Sequence, residues 1–366
     1  MIKKVSNFIK KETVFCISLV VAVISMFIIP PSSSYIGYIN FSVLALLFCL
    51  MSAIEGLKQS GIFSLTASAL LKYAKDLRKL CFILITLCFF SSMLITNDVA
   101  LIAFVPLTVM LMKDYKKDLL KTVALETVSA NLGSMLTPLG NPQNLFIYEK
   151  SGMKLVEFLL TMLPVAIISF VMLSVSTLIV SKKPIEKPNT DIEFDRKGSI
   201  ICGILFLMCI LTVLHVIPYA ICTAVIIVSL LIYRKEILMK VDYMLLLTFV
   251  CFFIFSGNLS AIPQIQQFFS DILKEHTLEA SLLCSQVISN VPATVLLYPF
   301  CTDIKALLYG VDIGGLGTPV ASLASLISYR IYITSEGAKG GKYLAVFMLI
   351  CVIFLAVLYP FVNLIL

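Results

Sequence analysis

Thr96-Asn97-Asp98 and Ser289-Asn290-Val291-Pro292 each break a long apolar stretch, and each precedes a longer polar segment. The first such segment, Asn131-Leu-Gly-Ser-Met-Leu-Thr-Pro-Leu-Gly-Asn-Pro-Gln-Asn-Leu145, aligns without gaps to the second, Asp312-Ile-Gly-Gly-Leu-Gly-Thr-Pro-Val-Ala-Ser-Leu-Ala-Ser-Leu326. Each segment reads as a helix interrupted and restarted. Thr137-Pro138 and Thr318-Pro319 have the form of an N-cap followed by an N1 proline. Gly133 and Gly314 suit the loop where the preceding half-helix stops. With further helix starts near Asp98 and Pro292, four helix N-termini can converge, each with unpaired N–H groups and partial positive charge. Such a place attracts an anion, while carbonyls released at the breaks, together with Asn97 and Asn290, can hold Na⁺.

On this reading the groups facing an anionic substrate are Asp98, Thr137, Pro138, Asn141, Asn144, Val291, Thr318, Pro319 and Ser322. Those facing a cation are Thr96, Asn97, Gly133, Ser289, Asn290 and Gly314. The competing structural reading is a pair of proline-kinked helices with polar packing residues. Two matched breaks, each with an upstream Asn motif, argue against that coincidence.

Asp98, Glu126 and Asp312 are carboxyls within apolar surroundings, where a charge costs about 2.5–3.5 kcal/mol even on the mild scale. Each also has a structural reading. Asp98 can cap a helix over 99–112, Glu126 can pair with Lys121, and Asp312 can brace the second break. His215, beside Pro218, reads as an interfacial residue at an outer helix end.

Only a membrane can accommodate the elements that position these groups. The 366 residues are 60% hydrophobic and 13% charged, with a mean hydropathy of +1.02, whereas a soluble domain keeps about a quarter of its residues charged. Apolar runs of about 18 residues or more recur along the chain. Strand-like alternation is absent, so helices satisfy the backbone. The net charge of +7 resides in short loops, which reads as a topology signal and not as a nucleic-acid surface. The 11 cysteines, among them Cys16, Cys88, Cys209 and Cys351, show no CxxC or Cys/His spacing and read as small buried hydrophobes. The basic start followed by the apolar run to Pro30 reads as an uncleaved first span.

Spans are expected over 13–30, 35–57, 122–148, 155–180, 199–216, 218–233, 241–259, 306–332 and 342–365. The stretch 80–112 is too long for one span, about 50 Å as a helix, and too short for two. Arg78 and Lys79 before it and Lys113, Lys116 and Lys117 after it put both ends on one side. A re-entrant hairpin fits better than two short spans, and 277–300 behaves likewise with both ends outside. With about nine spans and two hairpins, the N-terminus is inside and the C-terminus outside. Only Lys150, Lys154, Lys274 and Lys305 of the 28 basic residues then lie outside. The polar linker 181–198 divides the chain into 1–180 and 199–366, whose opposite membrane entry makes the repeat inverted. The first half lacks a counterpart of span 199–216.

The paired motifs resemble the ion-transporter superfamily of citrate-transporter-like proteins, arsenite permeases and divalent anion/Na⁺ symporters, from about residue 35 to the end. The resemblance implies an elevator mechanism, in which a transport part (79–180 and 277–366) slides against a dimeric scaffold (1–78 and 199–276). In the dicarboxylate branch both tips read Ser-Asn-Thr, with Asn near a sodium and Thr near substrate. Asn97 and Asn290 match that pattern. Asp98 and Val291 stand where Thr is expected, which argues against a dicarboxylate and looks closer to the arsenite-permease and uncharacterised anion-permease branches.

The sequence therefore predicts a secondary transporter of the cell membrane, moving a small anion or oxyanion with Na⁺ or H⁺ as coupling ion and no other cofactor. Its expected partners are the bilayer and a second copy of the chain, with no nucleic acid. A Na⁺/H⁺ antiporter and an arsenite-type efflux permease are the alternatives. The absence of an HExxH motif, nucleophile elbow or paired catalytic acids argues against an enzyme, and the absence of a nucleotide-binding loop argues against a primary pump. A channel would lack stoichiometric coupling. Reporter fusions after Lys183 and Lys342 should report cytoplasm and one after Leu366 the exterior; a cytoplasmic C-terminus would remove the inverted-repeat reading.

Overall fold

The structure is a computed structural model that describes residues 12–185 and 194–366. The basic start and the centre of the 181–198 linker lie outside the described residues. Among the described residues the fold is all-helical, with one isolated β-bridge between Asp76 and Pro184. Six helices are long and apolar enough to cross a membrane, and shorter apolar helices supplement them. The chain is a multi-pass membrane protein.

In chain order α1 is Thr13–Ile28, α2 Ser34–Tyr38, α3 Phe41–Gln59 and α4 Ile62–Leu71. The stretch expected as one span over 35–57 is divided because the Asn40 side chain caps α3, accepting from the Val43 N–H at 3.1 Å. Next, α5 (Leu77–Ile95) and α6 (Asn97–Leu111) form a helix pair with its turn at Thr96. The expected span 122–148 is interrupted: α7 (Lys116–Ser134) stops, and α8 (Pro142–Ser151) starts after an irregular loop. α9 is Leu155–Ser176.

The second part repeats this order. After α10 (Arg196–Val213), α11 (Tyr219–Arg234) and α12 (Glu236–Met239) come α13 (Tyr243–Ser260) and α14 (Pro263–Ile288), which is kinked at His276. α14 turns at Ser289 into α15 (Asn290–Leu297), then α16 (Ile304–Ile313) stops and α17 (Leu323–Ile333) restarts before α18 (Gly340–Ile365). Asp76, Asp195, Asp242 and Asp303 cap α5, α10, α13 and α16 with carboxylate acceptors 2.9 Å from a first-turn N–H, each contributing about 1 kcal/mol. α4 and the first half of α14 have no counterpart among the predicted spans. Both sit between a long apolar helix and a helix pair.

Packing is crosswise. The α5–α6 pair grips α7, and α17, from the far half of the chain, packs on both α6 and α7. The α14–α15 pair grips α16, and α8, from the near half, packs on both α15 and α16. Outside this unit α13 packs on α1, and α3 packs on α10 and α11.

Two glycines make the grip possible, by close approach and not by turn geometry. Gly133 is inside α7, and a Cβ there would run into the Phe89 carbonyl carbon and Ser92 Oγ at 2.7 Å. A Cβ on Gly314, at the end of α16, would meet Leu282 Cα and Ser285 Cβ at 3.0 Å. Gly314 has φ −65, so neither it nor Gly133 is the left-handed stop the sequence suggested. Gly133→Ala and Gly314→Ala should each lower the thermal midpoint in detergent, by an overpacking cost of about 1–3 kcal/mol. Gly203→Ala, in open space on α10, should leave it unchanged or raise it. Unchanged midpoints for the first pair would mean that α7 and α16 do not approach their partners this closely.

Candidate functional site

The two tips are built alike. Thr96 has φ 70 and ψ 153, and Ser289 has φ 73 and ψ 153. A non-glycine residue in this region costs about 1–3 kcal/mol, so the surroundings must hold both tips. The following Asn closes the new helix on itself. Asn97 Oδ1 accepts the Asp98 N–H, and Asn290 Oδ1 the Val291 N–H, each at 2.9 Å. α6 and α15 therefore start at the expected places, with one of their orphan donors already satisfied by the Asn.

The breaks are also built alike, but not as capped restarts at Thr-Pro. α8 begins at Pro142 with Asn141 as its N-cap residue, and α17 at Leu323 with Ser322. Thr137 Oγ1 instead donates to the Met93 carbonyl and accepts the Gly140 N–H at 3.1 Å. Thr318 Oγ1 donates to the Gln286 carbonyl at 3.0 Å. Met93 and Gln286 hold the same place, three residues before their tips. Each Thr thus staples its break loop to its own helix pair, with the proline behind it.

Gln286 escaped the sequence reading, although a lone Gln in the apolar run before Ser289 was its signal. Its Nε2 donates to the Gly314 and Leu316 carbonyls at 2.7 and 2.8 Å, and its Oε1 accepts the Thr318 N–H at 2.9 Å. The Gly314 carbonyl proposed as a cation ligand already takes this bond. In the first break the Asn144 amide has the matching task, donating to the Ser134, Met135 and Thr137 carbonyls at 3.4, 3.2 and 3.3 Å.

The first tip joins the second break. Asn97 Nδ2 donates to Asn131 Oδ1 at 2.9 Å and reaches Ser322 Oγ at 3.5 Å. Ser322 Oγ donates to the same Asn131 oxygen at 2.8 Å, and Asn131 Nδ2 donates to Ser325 Oγ at 3.2 Å. The Asn290 N–H donates to the Ala321 carbonyl at 3.0 Å, which brings the second tip against the start of α17. Asn141 Nδ2 donates to Ser134 Oγ at 2.6 Å.

A cavity of about 530 Å³ lies beside this network. Thr96 and Asp98 of the first tip and Asn141 and Pro142 at the start of α8 form one wall; Glu55 and Lys58 of α3, with Lys240 and Asp242 before α13, lie opposite. Of the predicted substrate residues only Asp98 and Asn141 line it. Thr96, predicted for the cation, lines it too. Thr137, Pro138, Asn144, Thr318, Pro319 and Ser322, in the breaks, do not line it, and Ser289, Asn290 and Val291 are buried. Val291 contributes only its N–H and an apolar side chain.

The three carboxyls differ. Asp98 is half-buried and accepts from Thr96 Oγ1. Glu126 is fully buried, with Oε1 accepting from Thr108 Oγ1 at 2.7 Å and Oε2 left without a partner. Lys121 does not reach it, binding Asp118 at 3.8 Å and the Ile179 carbonyl at 2.7 Å instead. Asp312 accepts from Gln143 Nε2 at 3.1 Å. His215 ends α10 with φ 58, stacks on Tyr148 and lies 3.9 Å from Glu149.

Comparison with known proteins agrees with this architecture. The sequence profile of the citrate transporter family matches residues 1–308. The uncharacterized transporter MJ0456 of Methanocaldococcus jannaschii is 36% identical over 301 residues, covering 80% of this chain and 82% of that one. The inner membrane protein YbiR of Escherichia coli is 28% identical over 84% of each chain. A shorter match, 31% identical over 34% of this chain and 26% of the relative, is to the silicon efflux transporter LSI3 of Oryza sativa subsp. japonica. The expectation of a transporter and not an enzyme is met, and the chain belongs to the citrate transporter family.

Proposed function

We propose that the chain is an ion-coupled secondary transporter of a small anion or polar oxyacid, built from two inverted repeats and working by an elevator-type movement. The observation that carries this reading is the cavity between α3 and the start of α13 on one side and the first tip and α8 on the other. Its two walls belong to the two parts that the elevator would slide past each other. Lys58 and Lys240 at its rim mark the end that positive charge assigns to the cytoplasm, so the arrangement is inward-facing.

Three helix N-termini line the cavity, those of α6, α8 and α13, the last capped by Asp242; each end carries roughly half a positive charge. Lys58 and Lys240 add to this. Glu12, Glu55, Asp98 and Asp242 offset it, which favours a small solute that accepts several N–H bonds over a polyanion. The citrate in the family's name supports an anionic solute. The shared Asn at the tips supports a cation beside each, taken by the second lone pair of Asn97 Oδ1 and by Asn290 Oδ1 in place of its long 3.4 Å contact from Ser289 Oγ. A Na⁺/H⁺ antiporter is the second reading, favoured by the Asp98 carboxyl on the cavity wall.

Proteoliposomes loaded with and without a sodium gradient should show saturable, sodium-dependent uptake of a small oxyanion. Asn97→Ala and Asn290→Ala should each reduce it by roughly tenfold or more while leaving the protein folded; near-normal uptake in both would make the tips packing turns. Asp98→Asn should preserve folding and flatten the pH profile of transport. Sodium-dependent proton exchange without an anion requirement or an anion-induced thermal shift would favour the antiporter.

A further inference from the structure

The two breaks share a backbone plan but not a polar balance. At the first locus Asn131 uses its amide in full: its oxygen accepts from Asn97 and Ser322, and its nitrogen donates to Thr127 and Ser325. At the second locus the aligned residue is Asp312, whose side-chain neighbours are Gln143 and Asn144 at the start of α8. Asp312 is 3% exposed, and Gln143 and Asn144 are fully buried. Asp312 Oδ2, Gln143 Oε1 and Asn144 Oδ1 all lack a hydrogen-bond partner.

Turning the amides does not cure this. The Asn144 nitrogen sits among three break carbonyls, and the Gln143 nitrogen already serves Asp312 Oδ1 at 3.1 Å. No ion pair among the described residues includes Asp312. The carboxyl also lies in the last turn of α16, where the helix dipole is negative and disfavours a second negative charge. Three orphaned oxygens beside a helix C-terminus call for a cation.

We propose that Asp312, Gln143 and Asn144 form a buried binding site for a dehydrated sodium ion, separate from the cation positions at the two tips. A proton is the weaker occupant by count. On Asp312 Oδ2 it could be donated to one amide oxygen and would leave the other unpaired, whereas a sodium ion accepts all three. Oxygen-only donors suit a hard cation. The binding stands by itself; a coupling role for this ion rests on the transport reading above.

The test is thermal unfolding of the purified full chain in detergent, titrated with sodium chloride against choline chloride. Wild type should gain a saturable, sodium-specific rise in midpoint. Asp312→Asn should fold, because it places at the second locus the amide that Asn131 places at the first, and its sodium increment should fall to what the two tip positions contribute. Gln143→Ala, which introduces the residue found at aligned position 324, should keep the increment but raise the half-saturating sodium concentration by about tenfold. An undiminished increment in Asp312→Asn, or a wild-type midpoint that follows pH and ignores sodium, would overturn the site. Loss of the increment in Asn97→Ala and Asn290→Ala but not in Asp312→Asn would remove this site and leave the transport reading standing. An Asp312-dependent increment without any sodium effect on uptake would support the site and remove its coupling role.

Discussion

A chain that stops being helical within an apolar layer must find a partner for every N–H and C=O it releases, because no water is there to take them. Tips and breaks are organised by that requirement. The tip asparagines fold back on their own helices, the threonines of the breaks reach the carbonyl three residues before each tip, and Gln286 and Asn144 collect the carbonyls left by α16 and α7. Once these side chains are committed, little polar capacity faces the cavity, and the polar side chains that tips and breaks present on its wall are Thr96, Asp98 and Asn141.

The same bonds decide what can move. They cross between the two halves of the chain: Asn131 with Ser322 and Ser325, Gln143 with Asp312. Tips and breaks are thereby one body. The boundary with α3 and the start of α13 mixes Leu, Ile, Met and Val side chains with Glu55, Lys58, Lys240 and Asp242 around the cavity, and none of these cross-half bonds spans it. On the proposed mechanism, sliding would occur there and the polar network would travel intact.

Much of this was legible in the sequence because it rests on length and on polar triplets. The helix pairs at 80–112 and 277–300 follow from polar triplets within apolar runs that do not fit ordinary spans, and the interruptions within 122–148 and 306–332 from the matched segments 131–145 and 312–326. Both restart positions were misplaced by four residues. Thr-Pro has the form of a cap, and only the nearby Met93 and Gln286 carbonyls show that each hydroxyl is used sideways. Gly314 stands at the end of α16 as the sequence placed it, whereas Gly133 lies inside α7; the close approach that both allow leaves no local signature distinct from a helix stop. α4 was missed because its ten residues are too few to register as a span, and the first half of α14 because its many polar residues leave too little hydropathy. The convergence of Gln143 on Asp312 spans 169 positions and could not be read from either repeat alone.

The crosswise packing of α8 and α17 also bears on how such a chain is made. As the chain leaves the ribosome, the first tip and α7 emerge long before Ser322 and Ser325, which lie 191 and 194 residues beyond Asn131. Until then Asn97 and Asn131 have only each other and local backbone to bond. Non-local contacts of this kind form slowly, and an early half with polar groups facing lipid is a ready client for quality control. The crosswise packing therefore joins maturation to the last helices: a chain cut short before Ser322 would lack the serines that bond Asn131, however well its own helices had formed.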